Sequence, residues 1–287
     1  MINVGIVGHT GRLGKPLLKI LENHPQVKIV YTESRKKGVW GDKSYADLFF
    51  LALPYGESEN YLPSFKGKKI IDLSIDHRLD KGWVYGLPEL NKDKIKNAER
   101  IANPGCYATA ILEALSPVKN LVSDIKIKAY SGVSGRSEQK INKKNGIERY
   151  AKNREHPQVA EVEKYLGKPI ESFEPHIVYS LKTGIFVKIE AKLRNQKELY
   201  DLFKNSFADK PFLKLVDFQD SNDVDTKHLE KIISGVVNSN FCQVSFCLNK
   251  KSIIITSALD NLIKGGSGQA VQNFNLVYGL DEKTGLI

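Results

Sequence analysis

The stretch that decides the fold of this chain reads Ile2-Asn3-Val4-Gly5-Ile6-Val7-Gly8-His9-Thr10-Gly11-Arg12-Leu13-Gly14. Its first six residues form a largely apolar run typical of a strand, and apolar residues spaced from 17 to 21 predict a helix after the turn. A glycine-rich turn between a strand and a helix lets the backbone approach a pyrophosphate, and the helix N-terminus faces the negative charge. The G-x-x-G-x-x-G spacing therefore predicts a dinucleotide site, with an ordinary tight turn as the alternative. The residues that we assign to this site are Gly8, Thr10, Gly11, Arg12, Leu13 and Gly14.

The end of the second predicted strand indicates which nicotinamide cofactor the turn would bind. Residues 27–31 predict that strand, and the chain continues through Glu33, Ser34 and Arg35. In dinucleotide-binding folds an acidic residue here suits a free ribose 2′-hydroxyl, whereas arginine suits a 2′-phosphate. Ser34 and Arg35, followed by two lysines, favour NADP(H) over NAD, although Glu33 favours NAD.

Cys106 is the candidate nucleophile. It follows a Pro-Gly turn and precedes the apolar helical pattern of residues 110–115. A thiol at a helix start meets unpaired backbone N–H groups and the positive end of the helix dipole, which favour the thiolate. A buried, inert cysteine is the alternative, but the preceding glycine and the nearby Asn103 indicate an exposed turn. A thiolate and a nicotinamide cofactor in one chain predict acyl transfer to sulfur coupled to hydride transfer.

Length and composition predict an α/β protein of two domains. The chain has 287 residues, 41% hydrophobic and 26% charged, which is long enough for two cores. Short β runs alternating with helical segments predict a Rossmann-type doubly wound parallel sheet; the runs are 2–7, 27–31, 48–53, 69–73 and 99–102. Later alternating runs predict an α+β domain with a mixed or antiparallel sheet; they are 125–130, 184–193, 241–248 and 252–257. We expect a cofactor domain at 1–104 and 258–287, and a catalytic, substrate-binding and oligomerisation domain at 105–257.

Further motifs carry a family resemblance. They lie at residues 51–58, 71–79, 84–90, 131–135 and 261–273. Together with the glycine turn and the cysteine segment, they follow the order found in N-acetyl-γ-glutamyl-phosphate reductases, the arginine-biosynthesis family of the semialdehyde dehydrogenase group. The chain resembles that family over nearly its whole length.

The resemblance implies a reaction and a set of roles. Cys106 would attack the γ-acyl phosphate of N-acetylglutamyl phosphate, expel phosphate and hold a thioester until NADPH reduces it to the semialdehyde. A histidine would act as base for the thiol and as acid toward the developing alkoxide. The resemblance adds three cofactor-binding residues, Pro54, Gly268 and Asn273. It assigns substrate binding to Asn103, Ser131, Ser134, Arg136 and His176.

The chain departs from the family pattern at the catalytic histidine. The family carries His-x-His-x-(Pro or Ala)-Glu, whereas residues 156–161 read His-Pro-Gln-Val-Ala-Glu. Gln158 stands at the second histidine position and cannot accept a proton near neutral pH. We therefore assign the base to His156. The segment between Arg35 and Asp47 is also shorter than in the longer members of the family, which predicts weaker cofactor binding.

The net charge of +10 points to anionic partners. The lysines are scattered and no nucleic-acid-binding module is visible, so we expect no nucleic-acid partner. An anionic substrate and cofactor, or an acidic carrier protein that presents the substrate, would explain the charge; compositional bias toward lysine is the alternative. Neither a span of ~20 apolar residues nor a secretion signal is visible, so we expect a cytoplasmic protein without membrane contact. The family resemblance implies a homo-oligomer, either a dimer or a tetramer.

Cys242 and Cys247 test the alternative of a metal site. They lie on a run that alternates like a strand, which places the two sulfurs on opposite faces, and no second cysteine pair exists. We therefore expect no metal.

Three functions remain in competition at this point. The first is NADPH-dependent reduction of N-acetylglutamyl phosphate. The second keeps the chemistry but acts on a carrier-linked aminoadipyl or glutamyl phosphate, or on aspartyl phosphate. The third is a cofactor-binding regulator without catalysis, against which the helix-start position of Cys106 argues.

Overall fold

The computed structural model describes residues 1–135, 146–195, 198–218 and 225–287. The chain divides into two compact units, residues 1–105 with 266–287 and residues 106–265. The domain boundaries expected from the sequence stay a prediction. Within the described residues, no helix is long and apolar enough to cross a membrane.

The regular elements are numbered in chain order. The strands are β1 (Ile2–Val7), β2 (Val27–Ser34), β3 (Gly38–Gly41), β4 (Leu48–Leu51), β5 (Lys69–Asp72), β6 (Val84–Tyr85), β7 (Arg100–Ala102), β8 (Val122–Gly132), β9 (Ile147–Arg149), β10 (Ser172–Val178), β11 (Ile185–Leu193), β12 (Leu213–Leu215), β13 (Cys242–Asn249) and β14 (Ser252–Leu259). The helices are α1 (Gly14–Glu22), α2 (Pro88–Lys96), α3 (Cys106–Leu115), α4 (Gln158–Leu166), α5 (Leu199–Phe207), α6 (Thr226–Ser234) and α7 (Gly268–Val277). A π-helical turn, Ile263–Ser267, precedes α7.

The first unit is a doubly wound sheet in the order β3-β2-β1-β4-β5-β7-β6. Its strands run parallel except for the edge strand β3, which is antiparallel to β2. The four apolar residues of β4 are all buried, as expected of a central parallel strand covered on both faces. The chain order reverses beside β1, and in such sheets ligands bind outside the carboxyl ends of the strands at that reversal. The predicted Rossmann-type fold class is confirmed.

Apolar side chains cover both faces of this sheet. Helix α1 presents Leu17 and Leu21, four residues apart on one face, to a core shared with Ile6, Phe50 and Phe274. A second core on the opposite face contains Phe49 stacked on Phe65, with ring centroids 3.8 Å apart. The sheet of the first unit is therefore covered on both faces. The β1–α1 turn follows the carboxyl end of β1, which lies between β2 and β4.

The second unit is built on a mixed sheet in the order β12-β13-β14-β11-β8-β10-β9. Its three central pairings, β8 with β11, β11 with β14 and β13 with β14, are antiparallel, whereas β10 is parallel to β8 and β12 to β13. The predicted mixed or antiparallel sheet is confirmed. Strand β10 includes Pro175, and the pairing of this stretch was not predicted from the sequence.

Helix α3 is the central helix of the second unit. All of its residues from Tyr107 to Leu115 are buried, and it contacts β11, β14 and α4. Cys106, its first residue, is the one position that is partly exposed. The fold thus fixes the nucleophile candidate on a rigid element while leaving its side chain within reach of solvent.

Candidate functional site

The glycine turn of the first unit brings backbone segments into close contact. Gly8 follows β1 with φ +84°, a conformation that side-chain-bearing residues rarely adopt, and a Cβ there would overlap the carbonyl oxygen of Ala52. A Cβ on Gly14, the first residue of α1, would overlap the carbonyl oxygen of Gly8. Gly11 N donates to Gly8 O at 2.9 Å and closes the turn. Glycine at these positions is therefore required by close backbone approach.

The other predicted residues of the turn lie around it. Thr10 and Leu13 are half-buried and Arg12 is exposed. Leu13 O accepts from Ser267 Oγ at 2.7 Å, so the turn is tied to the residue that precedes α7. Gly268 is buried as the first residue of α7.

The last two residues of β2, Glu33 and Ser34, both have hydrogen-bond partners within the protein. Both carboxylate oxygens of Glu33 are taken, because Tyr31 Oη donates to one at 2.5 Å and Tyr61 Oη to the other at 3.1 Å. Burial, followed by the bond to Glu33, raises the pKa of both tyrosines. Ser34 is buried and its Oγ accepts from Lys37 N at 3.1 Å.

Arg35 remains accessible beside these residues. Its side chain is 82% exposed, and it pairs with Glu57 at 2.5 Å. Glu57 belongs to the loop after β4, in which Pro54 is exposed. The end of β2 therefore presents a surface cation, while the nearby carboxylate of Glu33 is engaged inside the protein.

A buried amide cluster surrounds α7 in the first unit. Asn273 Nδ2 donates to Gly86 O at 2.8 Å and to Asn103 Oδ1 at 3.1 Å, while Asn103 Nδ2 donates to Gly266 O at 3.1 Å. Gln269 Nε2 donates to Gly86 O at 3.1 Å. Among the described residues, the buried atoms Asn273 Oδ1 and Gln269 Oε1 have no hydrogen-bond partner. Buried carbonyl oxygens without partners are suited to accept from a ligand amide.

A nicotinamide dinucleotide fits the residues of the first unit. The glycine turn provides close backbone approach and a helix N-terminus for a pyrophosphate, Arg35 provides a cation, and the amides of Asn273 and Gln269 provide free acceptors. No metal is needed for any of these contacts.

In the second unit, the side chain of Gln158 reaches the sulfur of Cys106. Gln158 begins α4, its Oε1 accepts from Ala108 N at 2.9 Å, and its Nε2 lies 4.0 Å from Cys106 Sγ. Gly265 also lies close to Cys106, because a Cβ on it would come within 2.6 Å of the Cys106 Cβ. The nucleophile candidate is thus bounded by an amide donor and by a glycine that leaves room for it.

His156 lies two residues before the start of α4, among aromatic side chains. Its Nδ1 accepts from Gln158 N at 3.3 Å, and its ring is 5.4 Å from the rings of Tyr107 and Phe173. Tyr150 Oη donates to Tyr107 Oη at 3.2 Å. Burial, followed by the neighbouring Tyr150, raises the pKa of Tyr107 well above its usual range. The assignment of His156 as the base stays a prediction.

The remaining predicted substrate residues lie on or after β8 and β10. Ser131 is buried at the end of β8. Ser134 exchanges hydrogen bonds with Asn261, whose Oδ1 also accepts from Gly184 N at 2.7 Å. His176 stacks on Tyr130 with ring centroids 5.0 Å apart, and burial lowers its pKa. Arg136 lies outside the described residues.

Candidate metal ligands were also compared. Cys242 and Cys247 both lie on β13, five positions apart and therefore on opposite faces; Cys242 is buried and Cys247 half-buried. Within the described ranges, ligating atoms of Glu59, His77 and Asp80 lie within 4.8 Å of one another, and both carboxylates of that group are exposed. The expectation that the chain has no metal site stays a prediction.

Sequence reasoning did not identify two features of the second unit. One is the contact of Gln158 with Cys106, although the glutamine at a histidine position was the visible signal. The other is a fully buried ion pair between Lys264 of the π-helical turn and Glu113 of α3, with Nζ 3.2 Å from Oε1. A charged residue inside an otherwise apolar helix pattern was the only signal for this pair.

Family models match most of the chain. Residues 41–98 match the semialdehyde dehydrogenase NAD-binding domain, and residues 106–261 match the semialdehyde dehydrogenase dimerisation domain. An N-acetyl-γ-glutamyl-phosphate reductase of Archaeoglobus fulgidus is 33% identical over 99% of this chain and 98% of its own length. A protein of Pyrococcus horikoshii named as a LysW-L-2-aminoadipate/LysW-L-glutamate phosphate reductase is 36% identical over 100% of this chain and 98% of its own length.

Solved structures of the same fold extend the comparison. Aspartate semialdehyde dehydrogenase II of Vibrio cholerae superposes with a TM-score of 0.78, covering 97% of this chain and 98% of that one at 18% identity. The NADP-bound aspartate semialdehyde dehydrogenase of Candida albicans gives 0.73, covering 97% and 98% at 14% identity. These structures show a shared fold.

Proposed function

The chain belongs to the semialdehyde dehydrogenase family, and we propose that it reduces N-acetyl-L-glutamyl 5-phosphate to N-acetyl-L-glutamate 5-semialdehyde and phosphate in arginine biosynthesis. It is an oxidoreductase of the semialdehyde dehydrogenase type with a nicotinamide-binding domain. The observation that carries the proposal is Cys106, the partly exposed first residue of a buried helix, in a chain with full-length relatives that carry this reductase name.

Cys106 performs the covalent step. Its thiolate attacks the acyl carbon, the sulfur–carbon bond forms, and the carbon–oxygen bond to phosphate breaks with its electron pair leaving on the phosphate. The thioester then awaits reduction, and the hydride for this step is the chemistry that the nicotinamide supplies when bound. Breaking of the carbon–sulfur bond releases the semialdehyde and returns Cys106 to its starting state.

His156 is the proposed acid–base residue. Its Nδ1 accepts from the backbone N–H of Gln158, so the neutral ring carries its proton on Nε2. That tautomer can donate its Nε2 proton to a developing alkoxide. To act as a base, the ring would accept a proton at Nδ1 in place of the hydrogen bond from Gln158 N–H. Asn103, Ser131, Ser134, Arg136 and His176 remain the proposed substrate-binding residues.

NADPH is the proposed cofactor. The acidic residue that would bind a free 2′-hydroxyl, Glu33, has both oxygens engaged by Tyr31 and Tyr61. Arg35 is exposed and paired with Glu57, an arrangement that a 2′-phosphate can replace with a charge-assisted contact of its own. These two contacts support NADP over NAD.

The two units of the fold have separate proposed roles. Residues 1–105 with 266–287 would bind the cofactor through the glycine turn, Ser34, Arg35, Pro54, Gly268 and Asn273. Residues 106–265 would carry catalysis, and their match to a dimerisation domain supports a homo-oligomer.

A carrier-linked substrate is the second candidate. The relative from Pyrococcus horikoshii is named for LysW-linked aminoadipate and glutamate phosphates and is as similar to this chain as the acetylglutamyl reductases are. The net charge of +10 would favour an acidic carrier.

The reverse reaction separates the two candidates. Purified protein receives N-acetylglutamate semialdehyde, phosphate and NADP, and the appearance of NADPH is followed by absorbance. Turnover of the free acetylated aldehyde supports the first candidate, and NAD in place of NADP tests the cofactor. If the free aldehyde gives no NADPH while a carrier-linked semialdehyde does, the second candidate replaces the first.

A further inference from the structure

The side-chain amide of Gln158 has a fixed orientation. Its Oε1 accepts the backbone N–H of Ala108 at 2.9 Å, and an amide nitrogen lies on the opposite branch from its oxygen. Because Ala108 N can only donate, the oxygen must face it and the NH₂ group must face Cys106 Sγ, at 4.0 Å. The orientation is therefore determined by the hydrogen bond to helix α3.

The two contacts tie α4 to the first turn of α3. Ala108 N is one of the N–H groups that have no partner inside a helix at its start, and Gln158 supplies that partner. The backbone of Gln158 is held in turn, because its N–H donates to His156 Nδ1 at 3.3 Å. The amide donor is thus held beside the sulfur by contacts on both of its ends.

We propose that Gln158 is a catalytic residue that donates its Nε2–H to the sulfur of Cys106 whenever that sulfur carries negative charge. The proposal rests on the proposed function for its place in the reaction. The thiolate exists before attack on the acyl carbon and again when the carbon–sulfur bond breaks, and the same donor stabilises it at both moments.

The neutrality of the amide has a consequence for pH dependence. An imidazolium would stabilise the thiolate only while protonated, whereas a glutamine amide donates at every pH at which the protein is folded. Tyr107 interacts electrostatically with Cys106, and the phenol of Tyr150 and the imidazole of His156 contact Tyr107. The buried charges of Lys264 and Glu113 adjoin Gly265, which lies against Cys106. The Gln158 amide is therefore expected to lower the pH of half-maximal Cys106 alkylation without adding a titration of its own.

The test is the alkylation rate of Cys106 by iodoacetamide, measured on the peptide that contains it between about pH 5 and pH 10. Gln158→Glu is nearly isosteric and keeps an oxygen for Ala108 N–H, but replaces the donor with a negatively charged acceptor. We expect the pH of half-maximal alkylation to rise and the rate near neutral pH to fall about tenfold or more. Gln158→His is expected to add a second inflection, because its ring titrates near neutrality.

Gln243→Glu is the matched control, since it makes the same chemical change on β13 of the same unit. It should leave the Cys106 profile unchanged. A Gln158→Glu profile that coincides with the wild-type and control profiles overturns the proposal. Because alkylation needs no acyl phosphate, failure of the reductase assay with an altered Gln158→Glu profile would refute the proposed function and leave this inference standing.

Discussion

Replacing Lys264 with methionine should strongly destabilise the second unit. Lys264 and Glu113 are both 0% exposed, with Nζ 3.2 Å from Oε1, so the change leaves a carboxylate in a site closed to water. Loss of one partner of a buried pair costs about 3–5 kcal/mol, against a usual free energy of unfolding of about 5–15 kcal/mol. For a unit of this size the loss corresponds to a fall of roughly 6–20 °C in Tm.

The ion pair between Lys264 and Glu113 also lies close to Cys106. Glu113 lies seven positions after Cys106 on α3, hence on the same side of the helix, and Lys264 precedes Gly265, which contacts Cys106. Breaking the pair releases the turn that bounds the sulfur. We therefore expect slower Cys106 alkylation or turnover in Lys264→Met even at temperatures where the variant is folded.

The assay is denaturant unfolding followed by circular dichroism, arranged as a double-mutant cycle. The double variant Lys264→Met with Glu113→Gln should recover most of the loss, because neither buried charge remains. Lys96→Met is the control; it breaks an ion pair with Asp93 whose side chains are 46% and 93% exposed, and should cost less than about 1 kcal/mol. If Lys264→Met shifts the midpoint no more than this control, the buried pair does not hold the unit together as argued.

Three further predictions concern chemistry, cofactor choice and pH. Cys106→Ser should lower turnover more than about a thousandfold and abolish the acyl mass that peptide mass spectrometry would find on Cys106 after incubation with acyl phosphate alone; a variant with intact turnover would refute covalent catalysis. Arg35→Ala should raise the KM for NADPH about tenfold and leave the KM for NADH unchanged. Lys36→Ala, the control, should change neither KM. Equal effects of Arg35→Ala on both cofactors would count against a 2′-phosphate contact. Burial lowers the pKa of His24 below 6.5, so the unfolded chain binds more protons and stability should fall as the pH drops through about 6.5; urea midpoints measured across this range should lose that dependence in His24→Gln, and an unchanged slope would contradict it.

The fold of the first unit was largely predictable, because the sequence patterns that predict it are local. The strand, glycine turn and helix between residues 2 and 22 follow one another in the chain, and the glycines are required by backbone contacts a few residues away or on the adjacent strand. Pattern alone did not reveal that Glu33 is engaged by Tyr31 and Tyr61, because Tyr61 comes from a loop 28 residues later.

The second unit was less predictable, because its contacts join distant parts of the chain. The sequence placed Cys106 at a helix start, but the side chain that meets its sulfur lies 52 residues later. Strands β9, β10 and β12 were not predicted; β9 and β12 are short, and β10 contains a proline, so their pairing depends on neighbours already in the sheet.

The amino-acid order by itself determined two local features of this protein, a tight glycine turn between a strand and a helix and a cysteine at the start of a helix. Both follow from backbone sterics and from unpaired N–H groups within a few residues. Only the tertiary structure decided which amide faces the sulfur, which two tyrosines engage the Glu33 carboxylate and which two charges share the interior. Those choices depend on side chains brought together by the packing of sheets and helices, and no short stretch of sequence records that proximity.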